Sequence, residues 1–186
     1  VDAIHHSHAE ILAEIASREG SNMGSTVVAL HLLGDEYEVA WVGDSRAYLF
    51  DGSNLKQITR DHNPVSEMLA RGAITVEQAA NHPERNVLSQ SLGVADTIIV
   101  SPDRIRGELH TGQQILLCSD GLTDELSDRQ IEQIMSTCKS PDEQVKALIQ
   151  GALDSGGRDN VTVVVVGEKA APGTVAPRSV RQRDTL

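Results

Sequence analysis

Tyr37-Glu38-Val39-Ala40-Trp41-Val42-Gly43-Asp44-Ser45-Arg46-Ala47-Tyr48-Leu49-Phe50 is the stretch whose reading decides the fold. Two apolar runs, 37–42 and 47–50, read as strands around a short polar break that leaves Asp44 at the lip of the first. Upstream, residues 25–33 read as another strand, and Gly34-Asp35 supplies the turn from it into the run 37–42. Downstream, Asp51-Gly52 makes a turn and residues 55–59 a short fourth strand.

The same placement of an acid recurs twice. Asp120, in Ser119-Asp120-Gly121, follows the apolar run 114–118, and Asp159, in Gly157-Arg158-Asp159-Asn160, precedes the run 161–166. If those last two strands are antiparallel neighbours, the end of one lies beside the start of the other. The carboxylates then meet at one sheet edge. Two carboxylates about 4 Å apart repel by roughly 4 kcal/mol at an effective dielectric near 20. Taken singly, each aspartate reads as a turn cap. Gathering all three with no lysine nearby calls for a cation.

Around these strands the chain alternates in character. Residues 2–18 form an amphipathic helix with Ile4, His8, Ile11, Leu12 and Ile15 on one stripe, broken by Gly20, Asn22 and Gly24. Between Arg60 and Leu92 the pattern turns to short helices, with Pro64 in a first turn and a capping box at Thr75 and Gln78. Strands resume at 97–101 and 113–119. Ser127 with Gln130 opens a helix whose stripe is Ile131, Ile134, Met135 and Cys138. Ser140-Pro141-Asp142-Glu143 opens another with Val145, Leu148, Ile149 and Ala152. The run 161–166 is apolar on both faces and reads as a central strand. From Lys169 the sequence is small, polar and basic, and reads as a disordered tail or linker over 169–186.

Composition narrows the classes. A length of 186 residues suits one domain, placed at 1–168, and an aromatic content of 2% demands an aliphatic core. The net charge of −11 excludes nucleic acid as a partner. No apolar run reaches the ~20 residues of a membrane span. Cys118 and Cys138 lack metal-motif spacing and fit a reducing, cytoplasmic compartment. His5, His6 and His8 mix helix faces, and His62 and His82 lie far off, so zinc is not the expected ion.

Six strings in order carry a resemblance. They are Met23-Gly24-Ser25-Thr26, Val42-Gly43-Asp44-Ser45-Arg46-Ala47-Tyr48, Asp61-His62-Asn63, His82-Pro83-Glu84-Arg85-Asn86-Val87-Leu88, Cys118-Ser119-Asp120-Gly121-Leu122-Thr123-Asp124 and Gly156-Gly157-Arg158-Asp159-Asn160-Val161-Thr162. Each is weak alone. Together, from about Gly24 to Gly167, they resemble the metal-dependent serine/threonine protein phosphatases of type 2C, the bacterial members most.

The resemblance implies an α+β fold, an α/β-β/α sandwich of two antiparallel sheets flanked by helices, with 60–92 as the helical flap beside the active site. It implies Mn²⁺ or Mg²⁺, hard ions suited to carboxylate oxygen. Asp120 and Asp159 would be ligands of a binuclear centre, and Asp44 with Asp120 would hold a third, weaker ion. Asn160 would fix a metal-bound water. Asp124 reads as a surface or helix-entry residue, Arg46 as paired with nearby carboxylates or packed across the hairpin, and His62 as a non-ligand at the flap entrance.

The family's Asp-Gly-x-Gly-Gly loop and its phosphate-binding arginine are not in this chain, and are expected upstream of Val1. The expected activity is therefore hydrolysis of phosphoserine and phosphothreonine on proteins by a metal-activated water, with the isolated chain weak or inactive. Its substrates would be phosphoproteins, a Ser/Thr kinase or its targets, met by a monomer. The alternative is an inert pseudophosphatase acting as an interaction module.

Overall fold

Side chains alternate across every main strand, and three apolar layers result. In the computed structural model, which describes residues 1–18, 22–94, 100–138 and 140–167, the elements run in this order. Helix α1 (Asp2–Ser17) is followed by β1 (Val27–Leu33), β2 (Glu36–Val42), β3 (Arg46–Phe50) and β4 (Leu55–Gln57). Then come α2 (Pro64–Ala70), α3 (Val76–Ala80), β5 (Asp103–Glu108) and β6 (Gln114–Cys118). Helices α4 (Asp120–Thr123), α5 (Asp128–Thr137) and α6 (Pro141–Ser155) precede the last strand, β7 (Val163–Val166).

The strands make two antiparallel sheets, ordered β1-β2-β5 and β4-β3-β6-β7. Between them lies the middle layer. Tyr37, Val39 and Trp41 of β2 meet Ala47 of β3 and Ile115 of β6 there. The intervening residues of the same strands point outward. Ala40 and Val42 pack with Ile4 and Ile11 of α1, with Leu92 and with Val100. Tyr48, Phe50, Leu116 and Cys118 pack with Leu122, Leu126, Ile131, Met135, Leu148 and Ala152 from α4, α5 and α6. This is the helix–sheet–sheet–helix sandwich expected, and it rests on apolar side chains each worth about 1.5–3 kcal/mol when buried, with all four aromatic residues of the chain among the aliphatic ones.

The caps behave as their residues dictate. Thr75 Oγ1 accepts from Gln78 N–H at 3.2 Å while Gln78 Oε1 accepts from Thr75 N–H at 2.8 Å. Ser140 Oγ accepts from Glu143 N–H at 3.2 Å, and Pro141 starts α6. One polar pair is embedded in the helical layer. Gln114 and Gln144 exchange amide hydrogen bonds of 3.0 and 2.9 Å, fully buried.

Two expectations need correction. The strand placed at 97–101 is found at Asp103–Glu108; residues 97–99 lie outside those described, and Val100 instead packs under α1. The real strand hides its pattern because Arg104, Arg106 and Glu108 all face solvent on alternate positions. The final strand is an edge strand, not a central one. Val164 is in register with Leu117 of the middle layer yet is 45% exposed. The tail 169–186 lies outside the described residues. Among the described residues, no helix is long and apolar enough to cross a membrane.

Candidate active site

The sheet register brings the acids to one end. Arg46 pairs with Cys118, and Cys118 with Val163. Asp44, between the end of β2 and the start of β3, therefore stands at the same edge where Asp120 leaves β6 and Asp159 approaches β7. The turn at Asp44 depends on Gly43, whose φ is +107°. A Cβ there would stand 2.4 Å from Thr26 Cγ2, so both conformation and space demand glycine. Beside it, Thr26 and Ser45 share a hydroxyl hydrogen bond of 2.8 Å.

Asp120 is the first residue of α4, a single turn that the sequence reading did not anticipate. Ser119 stitches that turn to the approach of β7. Its N–H donates to Thr162 C=O at 3.1 Å, and Thr162 N–H donates to Ser119 Oγ at 3.0 Å. Gly121 lets the Asp159–Asn160 backbone press closely on α4, since a Cβ there would lie 2.3 Å from the Asn160 carbonyl oxygen. The acidic loop is also clamped from its other side. Arg158 Nε donates to Glu125 Oε1 at 2.8 Å, and the Glu125 side chain is only 2% exposed. Arg158 thereby holds that carboxyl below the usual range. Asp159 Oδ1 accepts from Asn160 N–H at 2.6 Å.

Electrostatics tie the three acids together through Asp120. Burial, and then the Asp120 and Asp61 charges, push Asp44 up to about 6, against an opposing pull from Arg46. Asp120 is raised too, first by burial and then by Asp159 and Asp124. Asp120 is thus the shared member of two repelling pairs. Among the described residues, no three His, Cys, Asp or Glu side chains come together closely enough to form a metal group by themselves.

A cleft of about 490 Å³ opens beside this edge, under the flap helices α2 and α3. Asp44, Arg46, Asp61, Arg85, Asp120 and Asp124 line it; Asp159 and Asn160 do not. Arg46 is engaged as expected. Its Nε and Nη2 bind the Asp61 carboxylate at 2.9 and 2.7 Å, and its Nη1 donates to Tyr48 Oη at 3.1 Å. Tyr48 in turn donates to Asp128 at 3.0 Å. Asp124 is exposed and accepts from Asn86 Nδ2 of the flap at 3.2 Å. Asp61, Glu125 and His62 are structural partners of the site that sequence reasoning gave no such role. The string Asp61-His62-Asn63 marked the first and last of these, and nothing marked Glu125, because the partners lie far away in the chain.

The donors suit a hard divalent ion. Two pairs of carboxylates whose charges are mutually costly would be relieved by a cation, and Mg²⁺ commonly takes one or two carboxylates and keeps several waters. Residues 1–68 match the family Protein phosphatase 2C. The serine/threonine phosphatase stp of Listeria welshimeri is 39% identical over 146 residues, which cover 78% of this chain and 57% of that protein. The chain thus spans little more than half the length of that relative. The serine/threonine phosphatase of S. agalactiae superposes with a TM-score of 0.80 at 34% identity, over 89% of this chain and 68% of that one.

The chain belongs to the protein phosphatase 2C family. Within it, the catalytic domain of the serine/threonine phosphatase PstP, solved with two manganese ions, is 33% identical with a TM-score of 0.75, over 88% of this chain and 67% of that domain. Members of the protein phosphatase 2C family depend on metal ions, and the acidic edge described above is where this chain presents hard oxygen donors.

Proposed function

We propose that this protein hydrolyses phosphoserine and phosphothreonine on other proteins, with Asp120 as the pivot of a divalent-cation site. The observation that carries the reading is that Asp120 repels Asp44 on one side and Asp159 on the other, at the rim of a cleft in a protein phosphatase 2C fold. Asp120 and Asp159 are the ligands of the main site, and Asp44 with Asp120 of a weaker one. Mn²⁺ or Mg²⁺ held by these carboxylates would supply charge to neutralise phosphoryl oxygens and to activate water.

The chain's own residues set the stage for that chemistry. Gly121 and the Glu125–Arg158 clamp fix Asp159 against α4. Asn160 orients the attacking water. Arg46, held by Asp61, balances part of the acidic charge without leaving the floor of the cleft. Flap residues line the same cleft, and one of them, Asn86, donates to Asp124, which also lines it. Substrates are phosphorylated proteins, a Ser/Thr kinase or its targets, in bacterial signalling. One chain carries all four site residues, which fits a monomer. Buried Cys118, its thiol pushed up to about 12, is inert and fits the cytoplasm.

The test is hydrolysis of a small aryl phosphate and of a phosphothreonine peptide by the full gene product with Mn²⁺. Activity should vanish on chelation and in Asp159→Asn. Turnover that survives either would refute the reading, and no turnover with Mn²⁺ bound would favour an inert binding module.

A further inference from the structure

His62 is buried, and its two ring nitrogens address different segments. Nδ1 accepts a hydrogen bond from the backbone N–H of Gly43 at 3.2 Å. An accepting nitrogen carries no proton, so the neutral ring is the Nε2–H tautomer. Nε2 lies 3.3 Å from a carboxylate oxygen of Asp103, at the start of β5, and makes no hydrogen bond of good geometry among the described residues.

The backbone of His62 adds two more ties. Its N–H donates to Gly43 C=O at 2.9 Å, and its C=O accepts from Ser89 N–H at 2.8 Å. Next to it, Asn63 Nδ2 donates to Arg85 C=O at 2.9 Å, while its Oδ1 caps α2. One residue therefore joins the turn that carries Asp44, the two ends of the flap, and the first residue of β5. His62 does not line the cleft. Its effect on the site has to pass through Gly43.

That route matters because Gly43, at φ +107°, has no side chain to steer it. The backbone direction there sets where the Asp44 carboxylate stands. We propose that His62 is a positioning residue that holds Asp44 in place through the Gly43 amide, whose N–H also fixes the ring's tautomer. This rests on the reading of Asp44 and Asp120 as a cation pair. Partners of this kind, one step removed from a metal ligand, are worth about 10- to 100-fold in metal affinity.

The experiment measures Mn²⁺ binding to the chain by electron paramagnetic resonance of the free ion. His62→Leu removes the acceptor and should weaken binding at the Asp44 pair about 10- to 100-fold, and Asp44→Asn should weaken it too. His62→Asn places Oδ1 near the former Nδ1 position and should restore most of the loss. Equal affinity in parent and His62→Leu, or no recovery in His62→Asn, would overturn the role. If Asp44→Asn itself binds like the parent, the cation pair fails and the role of His62 fails with it. If Asp44→Asn weakens binding and His62→Leu does not, only the positioning role falls. Should His62→Leu not fold, ¹⁵N NMR of the parent decides: an Nε2–H ring is expected, and a proton on Nδ1 would overturn the proposal.

Discussion

The carbonyl oxygen of Asn160 stands 2.3 Å from the point where a Cβ on Gly121 would be. No side chain fits between α4 and the loop that carries Asp159. The contact makes Gly121 the gauge that sets how near Asp159 comes to Asp120. Gly121→Ala should therefore cost about 1–3 kcal/mol by overpacking and lower Tm by several degrees. It should also weaken Mn²⁺ binding. Calorimetry of the metal-free chain checks the first effect, and an unchanged Tm would contradict the close approach.

Arg46 and Asp61 form a bidentate pair whose side chains are 26% and 8% exposed. Removing one partner strands the other charge away from water. Asp61→Ala should destabilise by about 3 kcal/mol or more, whereas the paired change Arg46→Met with Asp61→Leu should come back close to the parent. Urea denaturation of the single and double variants reads the difference. A single variant as stable as the parent would show that the pair carries no such strain.

Asp44 should give the metal-free chain a particular pH dependence. Its carboxyl is pushed up to about 6 in the fold, against an ordinary 3.8, so the folded state binds this proton more tightly than the unfolded state does. The resulting stabilisation is complete below the ordinary value and is lost as pH rises through about 6. At neutral pH the Asp44 charge then costs stability, and solvent screening of this half-buried group keeps that cost well below the roughly 3 kcal/mol of an unscreened shift. With chelator present, Asp44→Asn should be more stable than the parent at pH 7, with the advantage shrinking toward pH 4. Urea midpoints across that range test it, and an advantage independent of pH would contradict it.

Glu125 and Arg158 brace the Asp159 loop from below, which a merely structural surface pair would not do. Glu125→Gln keeps the shape and loses the charge. It should weaken Mn²⁺ binding about 10-fold while leaving the fold intact. Calorimetric Mn²⁺ titration measures this, and unaltered affinity would reduce the clamp to a surface contact.

Much of the sandwich was readable because its strands alternate cleanly around glycine turns, as at Tyr37 to Phe50, and because Thr75 and Ser140 announce their helices. Strand β5 escaped because only Asp103, Ile105 and Gly107 turn inward, and two of those are not apolar. The status of β7 escaped for another reason: four valines look the same in a central strand and in an edge strand left uncovered. The candidate acids stood out by their places at strand ends. Their supports did not, since His62 reaches Gly43 and Arg158 reaches Glu125 only after the sheets have formed.

Mn²⁺ titration of the parent chain beside Asp44→Asn, Asp120→Asn and Asp159→Asn tests the shared role of Asp120 most directly. Asp120→Asn should lose the most binding, because it belongs to both carboxylate pairs, while the other two variants each lose part. Parent-like Mn²⁺ affinity in Asp120→Asn would contradict a cation site centred on that residue.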